Sequence, residues 1–175
     1  MIQGEHLFLR QVCETDVNDA YHGWLNDPEV NQYLEVRHAP VSKQEILDYV
    51  SALKEREDVF FMAICMQSDR RHIGNIKIGP VHPIHRFAEI SIVIGDKTCW
   101  GRGLGSQALK LAAEFAFTMA GVHKLFAGLY ENNTGSYKAF LQAGFQKEGV
   151  FCQMRLHQGR YVDQIMMGRV KGELS

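Results

Sequence analysis

The sequence predicts an α+β fold, with a mostly antiparallel central sheet of six to seven strands flanked by about four helices. Three strand-like runs, "VFFMAICM", "HIGNIKIGPV" and "RFAEISIVIGD", follow one another through short polar or proline-containing links, which indicates an antiparallel meander. A helical pattern at 42–57 precedes them. After them, helical patterns at 104–120 and 133–144 alternate with the strand-like run "HKLFAGLY" and with a closing pair of strands around "HQG".

The first third of the chain supplies one further strand and several helices. Residues 7–12 form an apolar strand-like run, and Thr15 is the expected N-cap of a helix. The "NDPE" stretch is expected to end that helix and to begin another. Ser42 followed by Glu45 has the spacing of a capping box, which predicts the start of the amphipathic helix.

The helix after the glycine-rich stretch is predicted to bury one apolar stripe. We expect Gly121 to end this helix and Gly144 to end the next one, because glycine accepts the left-handed backbone that follows many helices. The residues of the predicted stripe are Ala108, Leu111, Ala112, Phe115 and Met119.

Composition favours a single domain over residues 1–175. Of these residues 46% are hydrophobic, and a net charge of −1 argues against dedicated binding of nucleic acid or of a membrane surface. The four cysteines are widely spaced, so we expect free thiols and a cytoplasmic protein without a leader segment. His82 and His85 lack the partners of a structural zinc site, and no metal is expected.

The stretch "CWGRGLGSQALKLAAEF" places glycines at 101, 103 and 105 directly before a helix. It lacks the GxxxxGK[ST] of a P-loop and the GxGxxG of a dinucleotide-binding fold. Successive backbone N–H groups leading into a helix N-terminus can bind a pyrophosphate, and Arg102 would add a cation. The alternative is that these glycines only form a turn.

Two motifs together resemble the GNAT superfamily of acetyl-CoA-dependent N-acetyltransferases. They are "FAEISIVIGDKTCWGRGLGSQAL" and "YENNTGSYKAFLQAGF". Gly103 and Gly105 fit the family's [RQ]xxGx[GA] loop, although Trp100 stands where Arg or Gln is expected. The "WGRGxG" variant and the NxxS signature at 133–136 resemble the Rim-type branch of ribosomal-protein acetyltransferases.

The resemblance implies where acetyl-CoA binds. The strand through residues 92–95 should diverge from the strand that begins at His123, and the pantetheine arm should lie in the opening. Lys97 and Lys138 could attract the remaining phosphate, although exposed lysines usually serve only solubility. The implied cofactor-binding residues are Ile92, Val93, Ile94, Trp100, Gly101, Arg102, Gly103, Leu104, Gly105, Ser106, Asn133 and Ser136.

Acetyl transfer to an amine requires a base, an oxyanion donor and a proton for the thiolate. Strand alternation separates Glu89 from its apolar neighbours, and family members often carry the base at this place. We expect its carboxylate to be partly buried, as suits a base, and an ion pair with Arg86 or a lysine is the alternative. A backbone N–H near Val93 or Ile94 is the expected oxyanion donor. Many relatives have a tyrosine acid where this chain has Phe140.

Ser136 and Tyr137 are the substitutes expected to protonate the thiolate, with Ser136 favoured. Tyr137 could instead pack in the core. Solvent could also supply the proton.

Aromatic and charged residues before the sheet are expected to form the acceptor pocket. The stretch "WLNDPEVNQYLEVR" resembles that of GNAT members that acetylate a nucleotide-linked amino sugar. These residue types would suit such a substrate, because aromatic rings would stack on the sugar or base and Arg would contact phosphate. Alternatives are an N-terminal acetyltransferase of a ribosomal protein and a non-catalytic acyl-CoA-binding module. The closing strands offer a surface for a homodimer. The expected acceptor residues are Trp24, Tyr33, Glu35, Arg37, His82 and His85.

Overall fold

A computed structural model describes residues 1–172 of the chain. Residues 173–175 of the predicted domain lie outside the described part. The strands are β1 (Ile2–Gln3), β2 (Leu7–Gln11), β3 (Phe60–Met66), β4 (His72–Ile78), β5 (Phe87–Ile94), β6 (Lys124–Tyr130), β7 (Gln146–His157) and β8 (Arg160–Val170). The helices are α1 (Asp19–Asn26), α2 (Pro28–Asn31), α3 (Lys43–Lys54), α4 (Leu104–Thr118) and α5 (Thr134–Gln142).

All eight strands join in one sheet of order β1-β2-β3-β4-β5-β6-β8-β7, which confirms the predicted α+β class and its meander. Every neighbouring pair is antiparallel except β5 with β6. The described residues hold eight strands and five α-helices, which is more than predicted. The difference comes from short elements, since β1 has two residues and α2 is a single turn. In the described chain no helix is both long enough and apolar enough to cross a membrane.

Helices cover both faces of the sheet. α4 and α5 pack on one face, where Leu7, Leu9, Ile64 and Ile90 are fully buried. α1 and α3 pack on the other face of β2 and β3 around Phe8. Each such side chain contributes about 1.5–3 kcal/mol by leaving water, so the two layers fix where α4 begins relative to β5.

The apolar stripe of α4 differs in part from the prediction. Ala108 and Ala112 are fully buried, as expected, and Leu111 and Phe115 are partly buried against the same core. Met119 is wrong as a stripe member: it lies beyond the end of the helix and is 77% exposed. The helix ends at Thr118, before this residue, and Gly121 follows with φ of 63°.

Local capping explains the first helices. The capping box of α3 is confirmed, since the Ser42 hydroxyl accepts from the Glu45 N–H and the Ser42 N–H donates to the Glu45 carboxylate. Thr15 is wrong as the cap of α1, because Glu14–Asp16 forms a short 3-10 helix and Asn18 accepts from the Tyr21 N–H instead.

The segment before α1 is held by a buried carboxylate. Asp16 accepts from both terminal nitrogens of Arg10, at 2.7 and 2.6 Å, and from the Cys13 N–H at 2.8 Å. Burial opposes ionisation, but these hydrogen bonds outweigh it and lower the pKa of Asp16 to about 2. The charged pair therefore anchors β2 to the entry of α1.

Candidate functional site

The sheet opens between β5 and β6. Their pairing covers only residues 87–89 with residues 124–126, and beyond Glu89 and Phe126 the two strands separate. The Gly79 N–H donates to the Glu89 carbonyl, so alternate backbone groups of β5 point toward β4. By that alternation Ser91 and Val93 bond to β4, whereas the N–H and C=O of Ile90 and Ile92 point into the opening.

This alternation changes which backbone groups line the opening. Val93, expected to present its backbone there, instead turns it toward β4, in the same alternation as the Glu89 carbonyl and the Gly95 N–H, which bond to Gly79 and Ile73. Ile94 directs its carbonyl toward the opening, where it accepts from the Trp100 indole N–H at 2.8 Å. Ile92 therefore turns its backbone N–H and C=O into the gap, beyond the last residues of β5 that pair with β6.

The glycine loop ends at the mouth of the opening. Gly101 and Gly103 have φ of 71° and 74°, values that residues other than glycine rarely adopt. Gly103 is the N-cap residue of α4. Within residues 1–172, the backbone N–H groups of 101–103 donate to no protein acceptor. The first N–H groups of α4 also lack helical partners, as at any helix start, so a row of free donors lies at the positive end of a 15-residue helix.

The third glycine of the loop is different. Gly105 lies in the first turn of α4 with an ordinary backbone, and a Cβ there would lie 3.8 Å from the Ala139 side chain and 3.9 Å from that of Ile94. Those are ordinary contact distances, so the protein itself has room for a side chain. Next to it, the Ser106 hydroxyl donates to the Gly103 carbonyl at 2.8 Å and closes the turn, while Leu104 is buried in the core.

Cations near the loop differ in their availability. The Arg102 side chain is exposed and, among the described residues, forms no ion pair. Lys97 contacts Asp27 at 2.7 Å and Glu29 at 3.0 Å, which ties it to α2. Lys138 is exposed on α5.

Helix α5 forms one wall of the mouth of the opening. Asn133 caps this helix by accepting from the Ser136 N–H at 3.1 Å, and Ser136 and Tyr137 are half-buried in its first turn. Tyr137 also packs against the main core. Phe140 is 1% exposed and meets Phe145 edge to face at 5.0 Å, so a core aromatic ring occupies the position of the tyrosine acid.

Glu89 lies where β5 and β6 part. Its neighbours Ala88 and Ile90 are buried toward α4, and the Glu89 side chain is exposed on the opposite face. Arg86 donates to the Ala120 and Gly121 carbonyls rather than to Glu89. The expected burial of Glu89 is therefore wrong, and in the described chain the carboxylate has no ion pair.

Three of the expected acceptor residues meet at the far end of β6. Arg37 donates to the Tyr130 hydroxyl at 2.8 Å and to the Leu156 carbonyl at 3.1 Å. Glu35 lies 3.2 Å from Arg155 and accepts from the Tyr130 hydroxyl. Tyr33 belongs to the same group, because it stacks on the His157 ring at 5.0 Å.

The other expected acceptor residues lie elsewhere. Trp24 packs against Gly95, where a Cβ would collide with the indole, and lies 5.0 Å from the His72 ring. His82 and His85 lie in the loop before β5, 4.6 Å apart, and His82 also contacts Phe87. This loop and the Tyr33 group lie at opposite ends of the parted strands, so the structure does not bring them together.

Sequence reasoning missed several residues of the site. Tyr130 and Arg155 connect the Tyr33 group to the sheet, and Phe126, Phe151 and Met166 cover the face beside Glu89. Period-two alternation in 124–130 and 160–170 marks which side chains share a face. The pairing of β6 with β8 rather than with β7, which places these residues together, has no local signal.

Comparison with known proteins agrees with this architecture. The model of the acetyltransferase (GNAT) domain matches residues 6–146. The chain is 32% identical over 162 residues to the probable N-acetyltransferase YjcK of Bacillus subtilis, covering 86% of each chain. It is 26% identical to the uncharacterized N-acetyltransferase YoaA of the same organism, over 98% of this chain and 97% of the relative.

A solved structure shares the fold over almost the whole length. The spermidine N-acetyltransferase of Vibrio cholerae, in complex with CoA and spermine, superposes with a TM-score of 0.85 at 22% identity, covering 95% of this chain and 96% of that one. The family match over most of the chain, the relatives named N-acetyltransferases and the parted strands next to the glycine loop lead to one conclusion. The chain belongs to the GNAT acetyltransferase family and is an N-acetyltransferase.

Proposed function

We propose that this protein moves the acetyl group of acetyl-CoA directly to a primary amine while donor and acceptor are bound together. The observation that carries the proposal is the opening between β5 and β6, with free backbone groups of Ile92 on one side and the free N–H groups of the glycine loop at its mouth. An extended pantetheine arm matches the first feature, and a pyrophosphate matches the second.

The donor residues fit acetyl-CoA in their chemistry. Amides of 101–106 and the positive end of α4 supply donors for pyrophosphate oxygens, and Arg102 adds a free cation. Lys97 is already neutralised by two carboxylates, so we assign the remaining phosphate to Arg102 and Lys138. Trp100 in place of Arg or Gln keeps the loop attached to β5 through its bond to Ile94.

The reaction needs a neutral amine, and Glu89 is the base we assign. Its carboxylate is exposed at the point where the strands part and has no cation partner in the described chain, so it can accept a proton from the amine directly or through water. The amine nitrogen then forms a bond to the thioester carbon, and the carbonyl oxygen gains negative charge. We assign the Ile92 N–H, rather than Val93, as the donor to that oxygen.

Collapse of the tetrahedral intermediate breaks the carbon–sulfur bond; the nitrogen loses its extra proton, and the CoA thiolate that leaves takes one up. The phenyl ring of Phe140 has no proton to donate to the thiolate. Ser136 and Tyr137 lie on the first turn of α5 beside the opening, and we assign the proton to Ser136, since Tyr137 also packs in the core. The products are CoA and an N-acetylated amine.

The acceptor is not assigned to a nucleotide-linked amino sugar. Trp24, expected to stack on a base or sugar, packs on Gly95 and His72. Arg37, expected to contact phosphate, instead donates hydrogen bonds to the Leu34 carbonyl, the Tyr130 hydroxyl and the Leu156 carbonyl. With both recognition elements engaged inside the protein, the features that favoured that acceptor lose their support.

Thiol release from acetyl-CoA tests the proposal. The purified protein is offered 2-phenylethylamine, spermidine, an alanyl peptide and a UDP-linked amino sugar, and each product is identified by mass spectrometry. We expect release that depends on a primary amine and on Glu89. Tight binding of acetyl-CoA without transfer to any of these amines would instead indicate a non-catalytic acyl-CoA-binding module.

A further inference from the structure

A shallow apolar groove of about 460 Å³ lies on the sheet face that carries Glu89. Its walls and floor come from β5, β6, β7 and β8, and its apolar lining consists of Phe87, Phe126, Phe151 and Met166. Phe87 is 37% and Phe151 51% exposed, so two aromatic rings present open surface to the groove. Concave apolar surfaces of this size accommodate small organic ligands.

The groove adjoins the candidate base. Glu89 is the register partner of Phe126 across the last paired residues of β5 and β6, and Phe87 lies two residues before Glu89 on the same face. A residue two positions along a strand is about 6.6 Å away, which is close to the length of a phenyl ring with its first methylene. An amine held at Glu89 therefore has the groove directly beside the rest of its molecule.

Charge in the groove is cancelled within the protein. The lining holds one cation, Lys124, and one carboxylate, Glu148, whose atoms lie 2.7 Å apart. Glu148 lies flat over Gly168, where any Cβ would come within 2.2 Å of its carboxyl carbon. A polyamine would bring additional positive charges to a groove whose described lining offers no free carboxylate, with Glu89 alone beside it, and desolvating those charges would be unfavourable.

We propose that the acceptor is a primary amine with an aromatic or bulky aliphatic body, held with that body in this groove and its amino group at Glu89. This inference rests on the proposed acetyl transfer and names its substrate class. The rings of Phe87, Phe126 and Phe151 contact the body, and the side chain of Met166 adapts to its shape. The groove binds by contact area and sets which amines are used.

Steady-state kinetics of thiol release at saturating acetyl-CoA test the assignment. The acceptors are 2-phenylethylamine, ethylamine and spermidine, and the variants are Phe151→Ser and Tyr161→Ser. Tyr161 is the matched control, because it is a 68% exposed aromatic residue on the same hairpin and is not part of the groove lining. Both side chains are exposed, and thermal melts check that both variants fold.

We expect 2-phenylethylamine to be the best of the three acceptors by kcat/KM. Phe151→Ser should raise KM for it about five- to tenfold, as the loss of roughly half the contact of a buried ring implies. The same variant should leave KM for ethylamine within twofold, and Tyr161→Ser should change neither constant.

Two results overturn the substrate class while leaving acetyl transfer intact. One is a preference for spermidine over 2-phenylethylamine with Phe151→Ser equal to the unchanged protein. The other is a dimer, seen by light scattering, that Phe151→Ser dissociates without altering KM for any amine, since a second copy would then occupy the groove. Absence of thiol release with every amine refutes the proposed function, and this inference with it.

Discussion

The substitution Gly105→Ala tests whether the glycine is needed for acetyl-CoA binding or for the stability of the protein. The added methyl would meet Ala139 at 3.8 Å and Ile94 at 3.9 Å, which is ordinary contact, and the position is helical without a left-handed backbone. Alanine is favoured over glycine in a helix by up to about 1 kcal/mol. We therefore expect the free energy of unfolding to stay equal or to rise by as much as that amount.

The same methyl should impair acetyl-CoA binding. It would stand between the end of β5 and α5, at the mouth of the opening where the loop amides face the ligand. Losing one close backbone approach costs about 1.4 kcal/mol or more, so we expect Kd for acetyl-CoA to rise at least tenfold.

Urea denaturation and isothermal titration calorimetry on the same preparation measure both quantities. Gly23→Ala in α1 is the control, because a Cβ there has open space and the position lies on another element. It should gain stability in the same way and keep its affinity for acetyl-CoA. The reasoning is refuted if Gly105→Ala binds acetyl-CoA as the unchanged protein does, or if it loses stability.

Glu89→Gln should lower kcat by about 10²–10⁴ with Kd for acetyl-CoA unchanged, and an unaltered rate of thiol release would remove Glu89 as the base. Ser136→Ala should lower kcat more than Tyr137→Phe does; equal and full activity of both variants would point to solvent as the proton source. Asp16→Asn should lower the free energy of unfolding at pH 7 by about 2 kcal/mol, because the pKa of Asp16 is about 2 when folded and 3.8 as the ordinary value. That stability is present above pH 4 and is lost as the pH falls toward 2, so urea curves of the two proteins should converge there, and a constant difference would contradict the Arg10 contact as its source.

Predictions that depended on a few neighbouring residues were accurate where no other contact competed with the local signal. The Ser42–Glu45 box starts α3, and the helix predicted after the glycine-rich stretch begins at Leu104. Thr15 failed as a cap because Asp16 bonds to Arg10, which lies six residues earlier on β2, and the chain turns early into a 3-10 helix. A competing tertiary contact therefore overrode the local signal.

Predictions about the acceptor were weaker, because they assumed that aromatic and charged residues near the pocket are free. Trp24 fills the space above Gly95, and Arg37 joins Leu156 across more than a hundred residues of sequence. The groove beside Glu89 combines side chains from β5, β6, β7 and β8, and nothing in any one segment marks it. Residue type alone could not distinguish a packing residue from a binding residue.

The sequence by itself determined the succession of the main strands and helices along the chain, the glycine loop and the family, since each depends on residue types at short spacings. The tertiary structure decided that Ile92, and not Val93, turns its backbone to the opening, because strand direction and hydrogen-bond register set that choice. It also decided that Glu89 is exposed where the strands part, beside an apolar groove. Burial and strand neighbours are properties of the assembled sheet, so they follow only from the fold.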